Sequence, residues 1–104
     1  MSAYLVLEYS DYKDKKNLIK KFETAYGNEH IFKFAMIKLL NEFEREATAF
    51  GLFCGYQSEP LTLKKIGERM NLSTSRIGVL SYTAFRRLIH PGFRKKVWKE
   101  YGYK

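Results

Sequence analysis

The feature that most constrains the fold of this chain is a pair of short amphipathic segments in residues 61 to 91, separated by a tight polar turn. Within each segment the inward-facing residues recur at helical spacing, so each set occupies one face of a helix. These sets are Leu63, Ile66, Gly67 and Met70 in the first segment and Ile77, Leu80, Ala84 and Leu88 in the second. Pro91 and Gly92 prevent the second helix from continuing. The pattern therefore predicts two helices joined by a turn.

Polar residues at the ends of both segments indicate where the helices begin and end. Thr62 and Ser73 suit the N-cap position, because a side-chain oxygen there accepts a backbone N–H of the first turn. Asn71 suits the exit of the first helix, because asparagine tolerates the left-handed backbone conformation. Gly67 on the inner face lets another backbone approach closely, as two steeply crossing helices require. The two helices form a helix-turn-helix, for which DNA is the first partner to consider.

This part of the chain resembles region 4 of the bacterial sigma-70-type sigma factors, the module that reads the promoter −35 element. The similarity runs without gaps over roughly residues 41 to 98. It rests on Phe-Gly-Leu at 50 to 52, Leu-Thr-Leu at 61 to 63, Ile-Gly at 66 and 67, Ser73, Arg76 and Ile77, and Ala-Phe-Arg at 84 to 86 followed by His90-Pro91. A generic helix-turn-helix explains the apolar spacing but not the Leu-Thr-Leu opening and the His-Pro ending together. The resemblance implies an all-α fold: a compact helical domain with a C-terminal helix-turn-helix of sigma region 4 type.

The second helix departs from the family at the positions that read bases. The family usually carries Arg-Glu where this chain has Thr74-Ser75, and Arg-Gln where it has Gly78-Val79. Arginine reads guanine and glutamine reads adenine through paired hydrogen bonds, which these shorter side chains cannot supply. Two alternatives follow. Either a different sequence is read through Thr74, Ser75, Val79 and Tyr82, by contact with thymine methyl groups, or DNA is held mainly by its phosphates.

Positive charge is concentrated around the helix-turn-helix. From residue 60 onward there are 11 Lys and Arg against 2 Asp and Glu, whereas residues 1 to 59 carry 8 against 9. Such one-sided charge is typical of a surface that binds nucleic acid, although a purely solubilising role is the alternative. The residues predicted to contact DNA are Lys64, Lys65, Ser73, Thr74, Ser75, Arg76, Val79, Tyr82, Arg86 and Arg87. Further candidate phosphate contacts are Arg69, Arg94, Lys95, Lys96 and Lys99.

The first half of the chain is predicted to add helices. Apolar residues at helical spacing indicate one helix over residues 15 to 26 and a longer one from 29 to about 50. Residues 1 to 9 could form a short strand, but no second strand-like run is present to pair with it, which favours an irregular or helical arm. Residues 1 to 40 are therefore interpreted as a helical extension packed on a region 4-like domain of residues 41 to 104.

The family resemblance also implies a protein partner. In sigma factors the first helices of region 4 form an apolar concavity that binds the tip helix of the RNA polymerase β-subunit flap. By that resemblance Phe43, Ala47, Phe50, Leu52 and Phe53 are the candidate flap-binding residues. The alternative is that this aromatic stripe is internal core. The resemblance also implies a third role for Arg86 and Arg87, as contacts for activators and other polymerase-bound proteins.

Catalytic, metal and membrane patterns are missing from the sequence. His30 and His90 are isolated, no nucleophile elbow or phosphate-binding glycine loop is present, and no cofactor is expected. Cys54 stands alone and is interpreted as a small semi-buried residue. No apolar run reaches membrane-spanning length, so the expected location is the cytoplasm of a bacterium or phage-infected host. By itself, Cys54 can form neither an internal disulfide nor a zinc site.

The chain is too short to hold, besides region 4, the region that melts promoter DNA. The sequence therefore predicts a transcription factor rather than an enzyme: a split or auxiliary sigma subunit that binds RNA polymerase and double-stranded promoter DNA, with the other sigma regions on a second chain. The alternative is a flap-binding regulator that mimics region 4 without reading bases. The basic second half favours the first interpretation, and the loss of base-reading residues favours the second.

Overall fold

The computed structural model describes residues 7 to 102, and within them every regular element is an α-helix. The predicted all-α class is confirmed for this part of the chain. Most of residues 1 to 9, for which an arm was predicted, lie outside the described range. The helices are α1 (Tyr9–Lys13), α2 (Lys15–Tyr26), α3 (Glu29–Glu42), α4 (Glu44–Cys54), α5 (Leu63–Met70), α6 (Thr74–Ile89) and α7 (Pro91–Tyr101).

The core lies between α4 and α6, with α2, α3 and α7 closing it on one side and α5 on the other. Phe22 of α2 is fully buried at its centre. Its ring lies 5.3 Å from that of Phe32, 6.0 Å from that of Phe50 and 5.7 Å from that of Phe85. Aromatic pairs at these distances stabilise the core beyond their buried area. The extension and the region 41 to 104 therefore share one apolar core.

The prediction of one long helix from residue 29 to about 50 is wrong, because the helix is interrupted at Phe43 and this segment forms α3 and α4. Phe43 has φ −141° and ψ 68°, outside the helical region. Its ring lies under the Arg87 guanidinium of α6, 3.6 Å from ring centroid to guanidinium carbon. No proline or glycine marks this break, so tertiary packing sets it. Glu44 and Glu46 in the first turn of α4 complement the new helix N-terminus.

The His-Pro pair ends α6 as predicted, but it also starts another helix. His90 caps α7, its Nδ1 accepting the backbone N–H of Gly92 at 3.0 Å, and Pro91 occupies the first helical position. Trp98 of α7 folds back over the core, and its indole N–H donates to the Tyr26 carbonyl at 2.9 Å. The basic tail is therefore a helix docked against α3 and α6.

Helix α1 is anchored to α6 by a buried hydrogen bond across the fold. The Tyr12 hydroxyl and the Ser81 Oγ lie 3.0 Å apart, and the Tyr12 ring stacks on Phe53 at 5.1 Å. Desolvation raises the pKa of the Tyr12 phenol. Asp11 accepts from the Lys21 ammonium at 2.8 Å, which holds the pKa of the Asp11 carboxyl below its ordinary value and joins α1 to α2. The first contact fixes α1 beside α6, and the second fixes it beside α2.

None of the described helices combines the length and the apolar character needed to cross a membrane.

Candidate nucleic-acid interface

The caps predicted for α5 and α6 are confirmed. The Thr62 Oγ1 accepts the backbone N–H of Lys65 at 3.2 Å, and the Ser73 Oγ accepts that of Arg76 at 3.1 Å. Asn71 ends α5 in the left-handed conformation, with φ 59° and ψ 45°. Only residues 71 to 73 separate the two helices. Local side-chain chemistry therefore fixes both the length and the direction of this turn.

Gly67 brings the turn against the body of α5. A Cβ at this position would lie 2.6 Å from the Leu72 carbonyl oxygen, closer than any real side chain tolerates. The Leu72 N–H donates to the Gly67 carbonyl at 2.9 Å, so the turn is tied to the helix it leaves. The close backbone approach predicted for Gly67 is confirmed, and the backbone that approaches it is that of the turn leading into α6.

One face of α6 carries a row of residues that is exposed at Ser75, Val79 and Arg86 and half-buried at Tyr82. Residues at spacings of four, three and four form this face, which we call the α6 ridge: Ser75, Val79, Tyr82 and Arg86. Val79 at its centre is 55% exposed. The opposite face is buried in the core through Ile77, Leu80, Ala84 and Leu88. The structure thus brings four of the predicted DNA-contacting residues into one row.

Exposed cations lie on α6 and on α5 and α7, which pack against it. Ser73 and Thr74 lie at the N-terminal end of α6, and Thr74 is exposed. Among the described residues, no exposed cation from residue 64 to 99 forms an ion pair within 4 Å; these are Lys64, Lys65, Arg69, Arg76, Arg86, Arg87, Lys95, Lys96 and Lys99. In the first half, by contrast, Lys21 and Lys38 each contact two carboxylates. These cations therefore remain available to bind an anionic partner, and among them Arg87 already lies over the Phe43 ring.

Arg94 corrects one of the sequence-based predictions, because it cannot contact phosphate in this fold. Its side chain is fully buried, on the face of α7 that also carries Val97. The Arg94 guanidinium carbon lies 5.1 Å from the Trp98 ring centroid, within cation–π distance. Burial lowers the pKa of this guanidinium. The docking of α7 buries the face of the helix that carries Arg94 and leaves Lys95, Lys96 and Lys99 exposed.

The five predicted flap-binding residues do not form a single surface. Phe50 is fully buried in the core, and Phe53 is half-buried against Tyr12. Phe43 instead lines a cleft of about 520 Å³ between α6 and α7, together with Arg86, Arg87 and Lys96. Ala47 and Leu52 share a separate groove between α3 and α4.

This second groove, which we call the α3–α4 groove, was not predicted from the sequence. It measures about 270 Å³, and Met36, Ile37, Leu40, Ala47 and Leu52 supply its apolar lining. Ile37 is 49% exposed and Leu40 is 43% exposed. Leu40 belongs to the stripe of apolar residues whose helical spacing predicts a helix here, although in the structure it is exposed. Ile37 is an apolar residue that lies outside that stripe. An apolar residue that does not fit the helical spacing is expected to be exposed, and this is the signal that the sequence carries.

Tyr9 is another residue that sequence reasoning missed at this interface. Its ring packs edge-to-face on Tyr82 of the α6 ridge at 5.4 Å, and Tyr9 itself is 54% exposed. The two residues are far apart in the chain, so no local pattern signals their contact.

Within residues 7 to 102 no three His, Cys, Asp or Glu side chains group in a way that could hold a metal ion. Cys54 is buried, as predicted, and burial raises the pKa of its thiol to about 12, so it stays protonated at neutral pH. Comparison of the chain with protein-family models, with curated proteins and with solved structures found no match. The candidate interface therefore depends on the geometry and charge described above.

Proposed function

We propose that this chain is a sigma region 4-like transcription factor, a split or auxiliary sigma subunit that binds promoter DNA through α5 and α6 and also binds RNA polymerase. The observation that carries this proposal is the α6 ridge, exposed at Ser75, Val79 and Arg86, together with the exposed cations of α5, α6 and α7, which form no ion pairs among the described residues. An α-helix with its side chains is about 10–12 Å wide, which matches the roughly 12 Å width of the major groove.

The residues of the α6 ridge set what such a helix can read. Val79 contacts the methyl group of thymine, and Ser75 forms single hydrogen bonds to base edges. Arg86 is the only member of the ridge whose side chain can form a bidentate contact with guanine. Arg76 and Arg87 lie on the adjoining side of α6, where they reach the phosphates that border the groove. Sequence preference is therefore modest and phosphate contacts supply most of the affinity.

Charge reversal tests the DNA-binding proposal. Fluorescence anisotropy with a labelled duplex, measured at several salt concentrations, is expected to show a steep fall of affinity with salt, by about 0.9 logarithmic units per decade for each phosphate contacted. Arg76→Glu and Arg87→Glu should weaken binding on every sequence tested. Lys33→Glu, an exposed lysine on α3, is the matched control and should leave the affinity almost unchanged. Equal weakening by all three variants would assign the effect to net charge and contradict the proposal.

The α3–α4 groove supports the second candidate function, a flap-binding regulator that mimics region 4 without reading bases. An amphipathic helix such as the flap tip would place apolar side chains against Ile37 and Leu40. Calorimetry with an isolated β-flap should detect binding to the intact protein and none to Leu40→Asp. Since Leu40 is 43% exposed, this variant should keep its melting temperature. Binding by both proteins, or by neither, would contradict a role for this groove.

A further inference from the structure

Helix α1 lies against the α6 ridge at the point where the ridge carries Tyr82. The Tyr9 ring meets the Tyr82 ring edge-to-face, with centroids 5.4 Å apart and planes at 87°. One turn along α1, the Lys13 ammonium lies over the Tyr9 ring, 4.7 Å from its centroid. Tyr9 and Lys13 are both exposed. A short aromatic and cationic edge therefore runs outward from the side of α6.

The helix that carries this edge is anchored on both sides. Tyr12 of α1 is buried, lies within hydrogen-bond distance of Ser81 and stacks on Phe53. Asp11 pairs with Lys21 of α2 at 2.8 Å. Tyr12 and Asp11 thus attach α1 to α6 and α2, so Tyr9 and Lys13 keep their position relative to the α6 ridge without a partner. A preorganised contact loses less side-chain entropy on binding than a flexible one.

The dimensions of DNA locate this edge in a complex. A helix in the major groove almost fills its width, so a group packed against the side of that helix lies over the phosphate backbone at the groove's border. Tyr9 and Lys13 occupy that place on the Tyr82 side of α6. Tyrosine hydroxyls and lysine ammonium groups are both common donors to phosphate oxygens.

We infer that α1 is part of the nucleic-acid interface: Lys13, positioned by Tyr9, contacts a phosphate at the border of the groove that α6 occupies. The inference rests on the proposed DNA-binding function of α6. It assigns to the N-terminal extension a binding role that the resemblance to region 4 does not cover.

Salt-dependent anisotropy with the full chain and a labelled duplex of about two helical turns tests this inference. Lys13→Gln is expected to reduce the slope of the logarithm of the binding constant against the logarithm of salt by about 0.9, the loss of one phosphate contact. Tyr9→Ala should reduce the same slope in part, because Lys13 loses the ring that positions it. Lys20→Gln removes an equal charge from the face of α2 opposite its buried residues, and it should leave the slope unchanged.

The outcomes separate this inference from the proposed function. One outcome is that the unmodified chain binds DNA, that Arg76→Glu weakens this binding, and that Lys13→Gln gives the same salt slope as Lys20→Gln. In that case the role inferred for α1 is wrong and the proposed function of α6 stands. If the unmodified chain does not bind the duplex even at low salt, both proposals fail together. Circular dichroism of Lys13→Gln and Tyr9→Ala should match that of the unmodified chain, since both positions are exposed.

Discussion

Replacing Gly67 by alanine should destabilise the protein even though alanine is the better helix former. The helix propensity of alanine would contribute about 1 kcal/mol in favour of the variant. Its Cβ, however, would lie 2.6 Å from the Leu72 carbonyl oxygen, and that backbone oxygen would have to move by most of an ångström to reach ordinary contact. Overpacking of this kind costs about 1–3 kcal/mol. It would also strain the hydrogen bond from the Leu72 N–H, which is worth about 1 kcal/mol.

The expected net loss for Gly67→Ala is about 1–2 kcal/mol, and each kcal/mol corresponds to about 4–8 °C in Tm for a domain near this size. Gly78→Ala provides the matched control on α6. There the new Cβ would meet only the Leu63 Cδ1, at an ordinary 3.8 Å, so the variant should gain about 1 kcal/mol and melt at a higher temperature.

Thermal unfolding followed by circular dichroism at 222 nm measures both variants under the same conditions. A Gly67→Ala protein as stable as the unmodified chain would refute the close approach of turn and helix. A destabilised Gly78→Ala protein would refute the assignment of that position to an unobstructed part of α6.

Two further changes test the attachment of the N-terminal extension. Tyr26→Phe removes the buried hydroxyl that donates to the Leu88 carbonyl at 2.7 Å and leaves that carbonyl unpaired. The free energy of unfolding in urea should therefore fall by about 1–3 kcal/mol. An unchanged urea midpoint would contradict this prediction. Asp11→Asn should destabilise the protein only where the Asp11 carboxyl is ionised. In the folded protein the Lys21 ammonium lowers the pKa of that carboxyl. The difference in free energy of unfolding between the variant and the unmodified chain should therefore be complete well above the ordinary pKa of 3.8, and it should disappear as pH falls through the lowered pKa. A difference in stability that persists at lower pH would refute the ion pair.

The part of the fold that the sequence predicts best is the pair α5 and α6. Its determinants are local: Thr62, Asn71 and Ser73 act within one helical turn of themselves, and apolar spacing identifies the buried faces. The exposed ridge follows from the same spacing, because the residues that are not buried must lie on the opposite face. Local chemistry was therefore enough to predict both the caps and the position of the candidate interface.

Features set by distant contacts could not be predicted in the same way. The break at Phe43 accompanies its contact with Arg87, which lies on another helix. Arg94 stands in a basic run whose neighbours are exposed, and only the docking of α7 decides that Arg94 faces inward. The contact of Tyr9 with Tyr82 joins opposite ends of the chain. Each of these depends on tertiary packing, for which the sequence carries no periodic signal.

The central claim, that the α6 ridge binds DNA, is tested most directly by nuclear magnetic resonance. A duplex of about two helical turns would be titrated at low salt into the ¹⁵N-labelled full chain, with backbone amide shifts followed residue by residue. The account predicts that the largest shifts fall in α6 and its N-terminal turn, at Ser75, Val79, Tyr82 and Arg86. Absence of shifts at any duplex concentration, or shifts confined to the α3–α4 groove around Ile37, would contradict it.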